Sequence, residues 1–134
     1  MRTTTQKMAM VFGVVFLLVG VLGLLLPDGM GMESDPEQAP HLLGLFPVNL
    51  LHNLVHLAFG VWGLLASRSY PGARGYHRGG AIIYAALTVL GFVTPSMFGL
   101  VPIGGHDIWL HAVLALGLGY FGFVHRESGI HTAM

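Results

Sequence analysis

Apolar positions run along this chain in long blocks rather than alternating. The block length predicts helices long enough to cross a bilayer, which takes roughly 20 mostly apolar residues. Four such blocks are bounded by charge, proline or glycine. The first is Met8 to Leu26, stopped by Pro27 and Asp28. The second is Pro47 to Ser67, with a proline suited to a first helical turn and Arg68 at its exit. The third, about 79–95, is shorter and ends at Pro95, and the fourth runs from about Gly104 to Val124, closed by His125 and Arg126. Residues 28–46 read as an acidic, Pro- and Gly-bearing loop outside the membrane, and residues 68–78 as a cytoplasmic loop. The expectation is an all-α integral membrane four-helix bundle forming a single domain over residues 1–134.

Composition supports a membrane solvent. The 134 residues are 54% hydrophobic and 9% charged, against roughly 25% charged in a soluble domain. The first block exceeds the apolar core of a signal peptide and lacks a small-residue cleavage site, so it is expected to be retained. The period-2 pattern of a membrane barrel is absent. All basic residues fall on one side of the four blocks: Arg2, Lys7, Arg68, Arg74, Arg78 and Arg126. The positive-inside rule then places both termini in the cytoplasm. Six basic residues balance six acidic ones, which removes nucleic acid as a partner, and the absence of cysteine leaves soft-metal chemistry to histidine.

The chain also resembles itself. Val21 to Pro27 (VLGLLLP) matches Val89 to Pro95 (VLGFVTP), and PVNLLHNLVH from Pro47 aligns with PIGGHDIWLH from Pro102. His52 then pairs with Asp107 and His56 with His111. Two tandem helical hairpins, a parallel repeat about an axis along the membrane normal, are expected.

His52 to His56 has the spacing of a zinc-protease helix, H-E-x-x-H, with Asn53 in place of the glutamate. An amide cannot act as that general base, so the chain is expected not to be an enzyme. At 100° per residue Asn49, His52, Asn53, His56 and Gly60 fall within an arc of about 100°. Asp107, His111 and Ala115 form the matching stripe on the fourth helix, and His106 points nearly opposite. A carboxylate within a bilayer costs at least about 2.5 kcal/mol and faces the bundle interior. The expected polar cluster is therefore His52, His56, Asp107 and His111 in the outer half of the bilayer, with Asn49 and Asn53 supporting it and Gly60 serving helix packing.

Three readings of that cluster compete: interhelical hydrogen bonding, a metal or porphyrin site, and a proton relay or small-ligand pocket. The first leads, with no cofactor. A transition metal, haem or chlorin is the alternative. The acidic outer loop is read as solvated rather than calcium-binding, and His125 and His131 as solvated tail residues.

The N-x-x-H-N-x-x-H-x-x-x-G pattern (Asn49, His52, Asn53, His56, Gly60) with D-x-x-x-H (Asp107, His111) resembles a bacterial membrane-protein family known as domain of unknown function 4383. The resemblance covers nearly the whole chain and implies a four-helix inner-membrane protein, with no activity or ligand attached. The leading expectation is a small accessory or stabilising subunit of a larger membrane complex, such as a photosynthetic or respiratory one. Its partners would be lipid and other integral membrane subunits, with no soluble substrate.

Overall fold

The computed structural model describes residues 1–128, so His131 lies outside the described residues. Four helices account for most of the chain: α1 (Thr4–Leu25), α2 (Leu50–Ala66), α3 (Tyr70–Val93) and α4 (Asp107–Gly119), the last running on into a π-helical turn, Tyr120–Val124. Two short antiparallel strands, β1 (His41–Leu42) and β2 (Phe46–Pro47), pin the loop before α2. α1 packs chiefly on α2 and α3 on α4, as two hairpins.

Local chemistry moves three boundaries from those expected. α1 starts at Thr4 because Thr3 and Gln6 form a reciprocal capping box. α2 starts at Leu50, after Pro47, because Asn49 caps it by accepting the His52 N–H at 2.9 Å. α3 starts at Tyr70, so residues 70–78, expected in a loop, are helical; the Ser69 hydroxyl caps Gly72, and Pro71 occupies the first turn. Two helical runs, Thr4–Leu25 and Asp107–Val124, are long and apolar enough to cross a membrane, where the sequence suggested four. α2 is shorter, at 17 residues, and the first half of α3 carries Arg74, His77 and Arg78.

The α1–α2 contact is made by small residues. A Cβ on Gly13 would lie 2.9 Å from Gly60 O and 2.9 Å from Leu64 N. One on Gly63 would lie 2.9 Å from Ala9 O. Glycine is what lets these backbones meet. The aromatic core of the bundle centres on Phe16, Phe59, Tyr76 and Tyr84, all buried.

Positions equivalent in the repeat make equivalent contacts. Phe16 lies 5.8 Å from His56 and Tyr84 5.2 Å from His111, ring to ring. Phe16 and Tyr84 stand 68 positions apart, as Val21 and Val89 do, and stack on one another at 5.6 Å. The loops before α2 and α4 repeat too: Leu43-Gly44 and Phe98-Gly99, 55 positions apart like Pro47 and Pro102, all have positive φ (56° and 71°; 56° and 85°). Val48 and Ile103, equally spaced, are each 1% exposed.

One end of the bundle is tied by its termini. Thr5 donates its N–H, and its hydroxyl at 2.7 Å, to Glu127, while His77 Nε2 donates to Thr5 O at 3.1 Å. The Glu127 carboxylate thereby meets an otherwise unpaired amide of the α1 N-terminus. Arg74 and Arg78, expected only to set topology, also donate to Gly122 O, at 3.3 and 2.7 Å, at the π-helical turn. His125, expected to be solvated, lies 3.3 Å from Glu127.

Burial pushes the Glu127 carboxyl up, but the Thr5 hydrogen bonds outweigh it and hold the group below its ordinary value. A depressed carboxyl contributes stability that is full above its unfolded value, about 4.3, and is lost as pH falls through the folded value. The amide signal of Thr5 is therefore expected to lose exchange protection as pH falls through that depressed value, and Glu127→Gln to lack that acid step. A pH-independent Thr5 amide in the parent protein would remove the clamp.

Candidate metal centre

Three elements bring the site together. Asn49 fixes the first turn of α2, which sets His52 and His56 one turn apart on its buried side. The loop before α4 ends in the buried Ile103 and Gly104, and α4 then opens on Asp107, with His111 one turn on. Asp107, at the first residue of its helix, also meets the favourable end of the helix dipole.

His52, Asp107 and His111 are 4%, 1% and 2% exposed. Each offers one donor atom, and these atoms lie within 4.8 Å of one another. His52 Nε2 is 3.6 Å from Asp107 Oδ2. The opposite nitrogen, His52 Nδ1, is 3.1 Å from Pro47 O. A carbonyl oxygen only accepts, so Nδ1 carries a proton and Nε2 is the nitrogen that faces the Asp107 carboxyl group. A shared proton or a metal ion between them would join Nε2 to the carboxyl oxygen. A proton serves two atoms, whereas a metal ion serves three, and His111 supplies the third. Asp107 Oδ2 and His111 Nδ1 are buried without a hydrogen-bond partner, which among native buried polar atoms calls for an explanation such as an ion.

The donor set suits a divalent transition metal. Bonds of about 2.0–2.2 Å put tetrahedral donors about 3.4 Å apart, so loading closes the present spacing by side-chain rotation of about an ångström. The Pro47 carbonyl is the outer partner that fixes the His52 tautomer.

The expected residues divide. His52, Asp107 and His111 converge. His56 is adjacent, its ring 4.4 Å from that of His52, but stands outside the converging trio, and its Nδ1 is also unpartnered. Asn49, expected to support the cluster, does so by accepting the His52 N–H, while its Nδ2 donates to Leu100 O at 2.9 Å; Asn53 bonds elsewhere, its Nδ2 donating to Gly29 O at 3.0 Å. Each asparagine ties one outer loop to α2. Gly60 faces Gly13 of α1. His106 is exposed and accepts from Trp109 Nε1 at 3.0 Å. In the outer acidic loop Asp35 N donates to Glu33 and Glu37 N to Asp35, each at 2.9 Å. Phe16 and Tyr84 wall the cluster; the sequence marks Tyr84 only as a bundle contact or interface anchor and does not mark Phe16, although the repeat spacing of 68 relates them.

A porphyrin or chlorin fits poorly. The cavities that reach the histidines measure about 180 and 270 Å³, below the roughly 300–1,000 Å³ of sites that enclose an organic ligand.

Residues 6–124 match the model of the family described as Domain of unknown function (DUF4383). No curated protein and no solved structure matches the chain.

Proposed function

We propose that this chain, which belongs to the DUF4383 family over nearly its whole length and draws no activity from that description, is a multi-pass membrane protein that holds a divalent transition-metal ion between His52, Asp107 and His111. The observation that carries the metal reading is the convergence of one donor atom each from the buried His52, Asp107 and His111 within 4.8 Å, with His52 Nε2 3.6 Å from Asp107 Oδ2. Binding rather than turnover is the reading, because Asn53, at the position of a protease's general base, is turned toward Gly29.

Exposed apolar faces support the membrane reading. α1 presents Val11, Val14, Leu18, Val21, Leu22 and Leu25 at 44–73% exposure, and the last turns of α4 present Leu116, Phe123 and Val124. Such a surface suits lipid, whereas monomeric soluble proteins rarely carry contiguous apolar patches this extensive. The hydrogen bonds of Thr5 to Glu127 and of Arg74 and Arg78 to Gly122 join the start of α1, the start of α3 and residues 122–127, which supports putting both termini on one side. With the basic residues there, that side is the cytoplasmic one, in a bacterial inner membrane, and the His/Asp cluster lies in the outer half.

Assembly with other integral membrane subunits is a second reading of the same surface. It is favoured by Leu43 and Phe98, which project at 78% and 80% exposure from loops held at strained positive φ. Native mass measurement in mild detergent tests it; a stable, partner-free species counts against it.

For the metal, protein purified without chelator and dialysed against zinc is expected to retain about one equivalent by elemental analysis. His52→Leu and His111→Leu are each expected to lose it with the secondary structure intact by circular dichroism. Zinc retained equally by both variants, or by neither variant nor parent, overturns the assignment.

A further inference from the structure

Two cavities reach the cluster from different sides. One, about 180 Å³, is walled by Val15, Phe16 and Val19 of α1 and by Leu110 and Leu114 of α4. The other, about 270 Å³, is walled by Val55 of α2 and by Ile83, Tyr84 and Leu87 of α3. Val15, Phe16 and Val19 stand 68 positions before Ile83, Tyr84 and Leu87, the separation that relates Val21 to Val89, so the repeat forms the same opening twice.

The outer walls are exposed and apolar: Val15 is 48% exposed, Ile83 40% and Val55 36%. The inner walls are polar. His52, His56 and His111 line both cavities, and Asp107 the first. The Nδ1 atoms of His56 and His111, on residues 7% and 2% exposed, have no hydrogen-bond partner. An imidazole nitrogen buried this way is satisfied by a ligand that brings a complementary group.

We infer that these openings admit, sideways from the bilayer, the ring head of an uncharged carbonyl-bearing lipid of the quinone class. Its flat ring packs on Phe16 or Tyr84, and a carbonyl oxygen accepts from the Nδ1–H of His56, which lines both cavities and stands outside the metal trio. Size, charge and shape select that class. Cavities below about 300 Å³ enclose a head but not a tail, so the tail stays outside among the exposed apolar residues. No Lys or Arg is among the described residues lining either cavity, so a carboxylate or phosphate head would enter without a counter-charge. Aromatic walls favour a planar ring in offset or edge contact. The inference requires the chain to lie in a membrane but not the metal ion, and it concerns binding alone.

The test uses the full chain in phosphatidylcholine nanodiscs with chelator present and decylubiquinone as probe. Trp109, 5.5 Å from Phe46 of the first cavity, reports by fluorescence quenching. Saturable quenching is expected, with the apparent Kd raised at least about tenfold in Val15→Phe/Ile83→Phe. That variant fills both mouths from exposed positions and so leaves the interior packing in place. Linear quenching identical in parent and variant, as for mere partition into lipid, overturns the inference. Equal competition by palmitate overturns the requirement for a neutral head. Zinc content measured on parallel chelator-free preparations of the same proteins reports the metal site separately, so either proposal can fail while the other stands.

Discussion

Gly13→Ala is expected to destabilise the protein by about 2 kcal/mol, whereas Gly75→Ala, the same chemical change, is expected to stabilise it by up to about 1 kcal/mol. Both glycines lie inside helices, where alanine is intrinsically better by about 1 kcal/mol. What differs is the far side of the added methyl. At Gly13 it meets the backbone of α2, Gly60 O and Leu64 N at 2.9 Å, and neither atom can rotate away. The helices must separate, and the contacts of Ala9, Phe16 and Gly63 along the same seam loosen with them. At Gly75 nothing lies within 4 Å. Denaturant titration in mild detergent, followed by circular dichroism, measures both changes. Equal effects of the two substitutions would mean that α1 and α2 do not meet at this seam.

The same seam shows what was legible in the sequence. Block length and charge placement predicted four helices, and the pairing of VLGLLLP with VLGFVTP predicted two hairpins, because both are properties of sequence spacing. Helical periodicity also predicted that His52, Asn53, His56 and Gly60 share a face, and all four are buried. Periodicity says nothing about which neighbour each residue on that face meets. The buried arc of α2 looks in two directions: His52 faces Asp107 of α4, while Asn53 lies against Gly23 and Gly29 at the end of α1. Treating the arc as one polar patch therefore placed Asn53 at the cluster, although its carboxamide holds a loop, whereas Asn49 supports the cluster through the His52 N–H.

The start of α3 was missed for a related reason. Arg74, His77 and Arg78 lowered the hydropathy of residues 70–78 and made them read as a loop, but Ser69 and Pro71 are helix-start signals that carry no hydropathy. His77 is buried in that segment because Thr5 O offers it a partner from a different helix. A contact across 72 residues leaves no local trace. The tautomer of His52 was equally hidden, since it depends on a carbonyl, and every residue has one.

Asp107→Asn is expected to separate a metal site from a hydrogen-bonded pair by moving two measurements in opposite directions. Asparagine keeps the shape of the side chain but replaces a carboxylate oxygen with an N–H donor. In the metal-free protein that donor can reach the lone pair on His52 Nε2, now 3.6 Å from Asp107 Oδ2. Oδ2 is buried without a hydrogen-bond partner, and an unsatisfied buried polar atom costs about 1–3 kcal/mol, more when charged. Removing it is expected to raise the metal-free Tm by several degrees, about 2–8 °C for a chain of this size. Zinc affinity is expected to fall at least about 100-fold, beyond the 10–100-fold typical of losing an outer partner, because a coordinating anion is gone. If Asp107 and His52 merely share a proton, the substitution leaves zinc retention where it was. Both changes together would account for the cost of a buried carboxylate in the empty protein by the ion proposed to bind it.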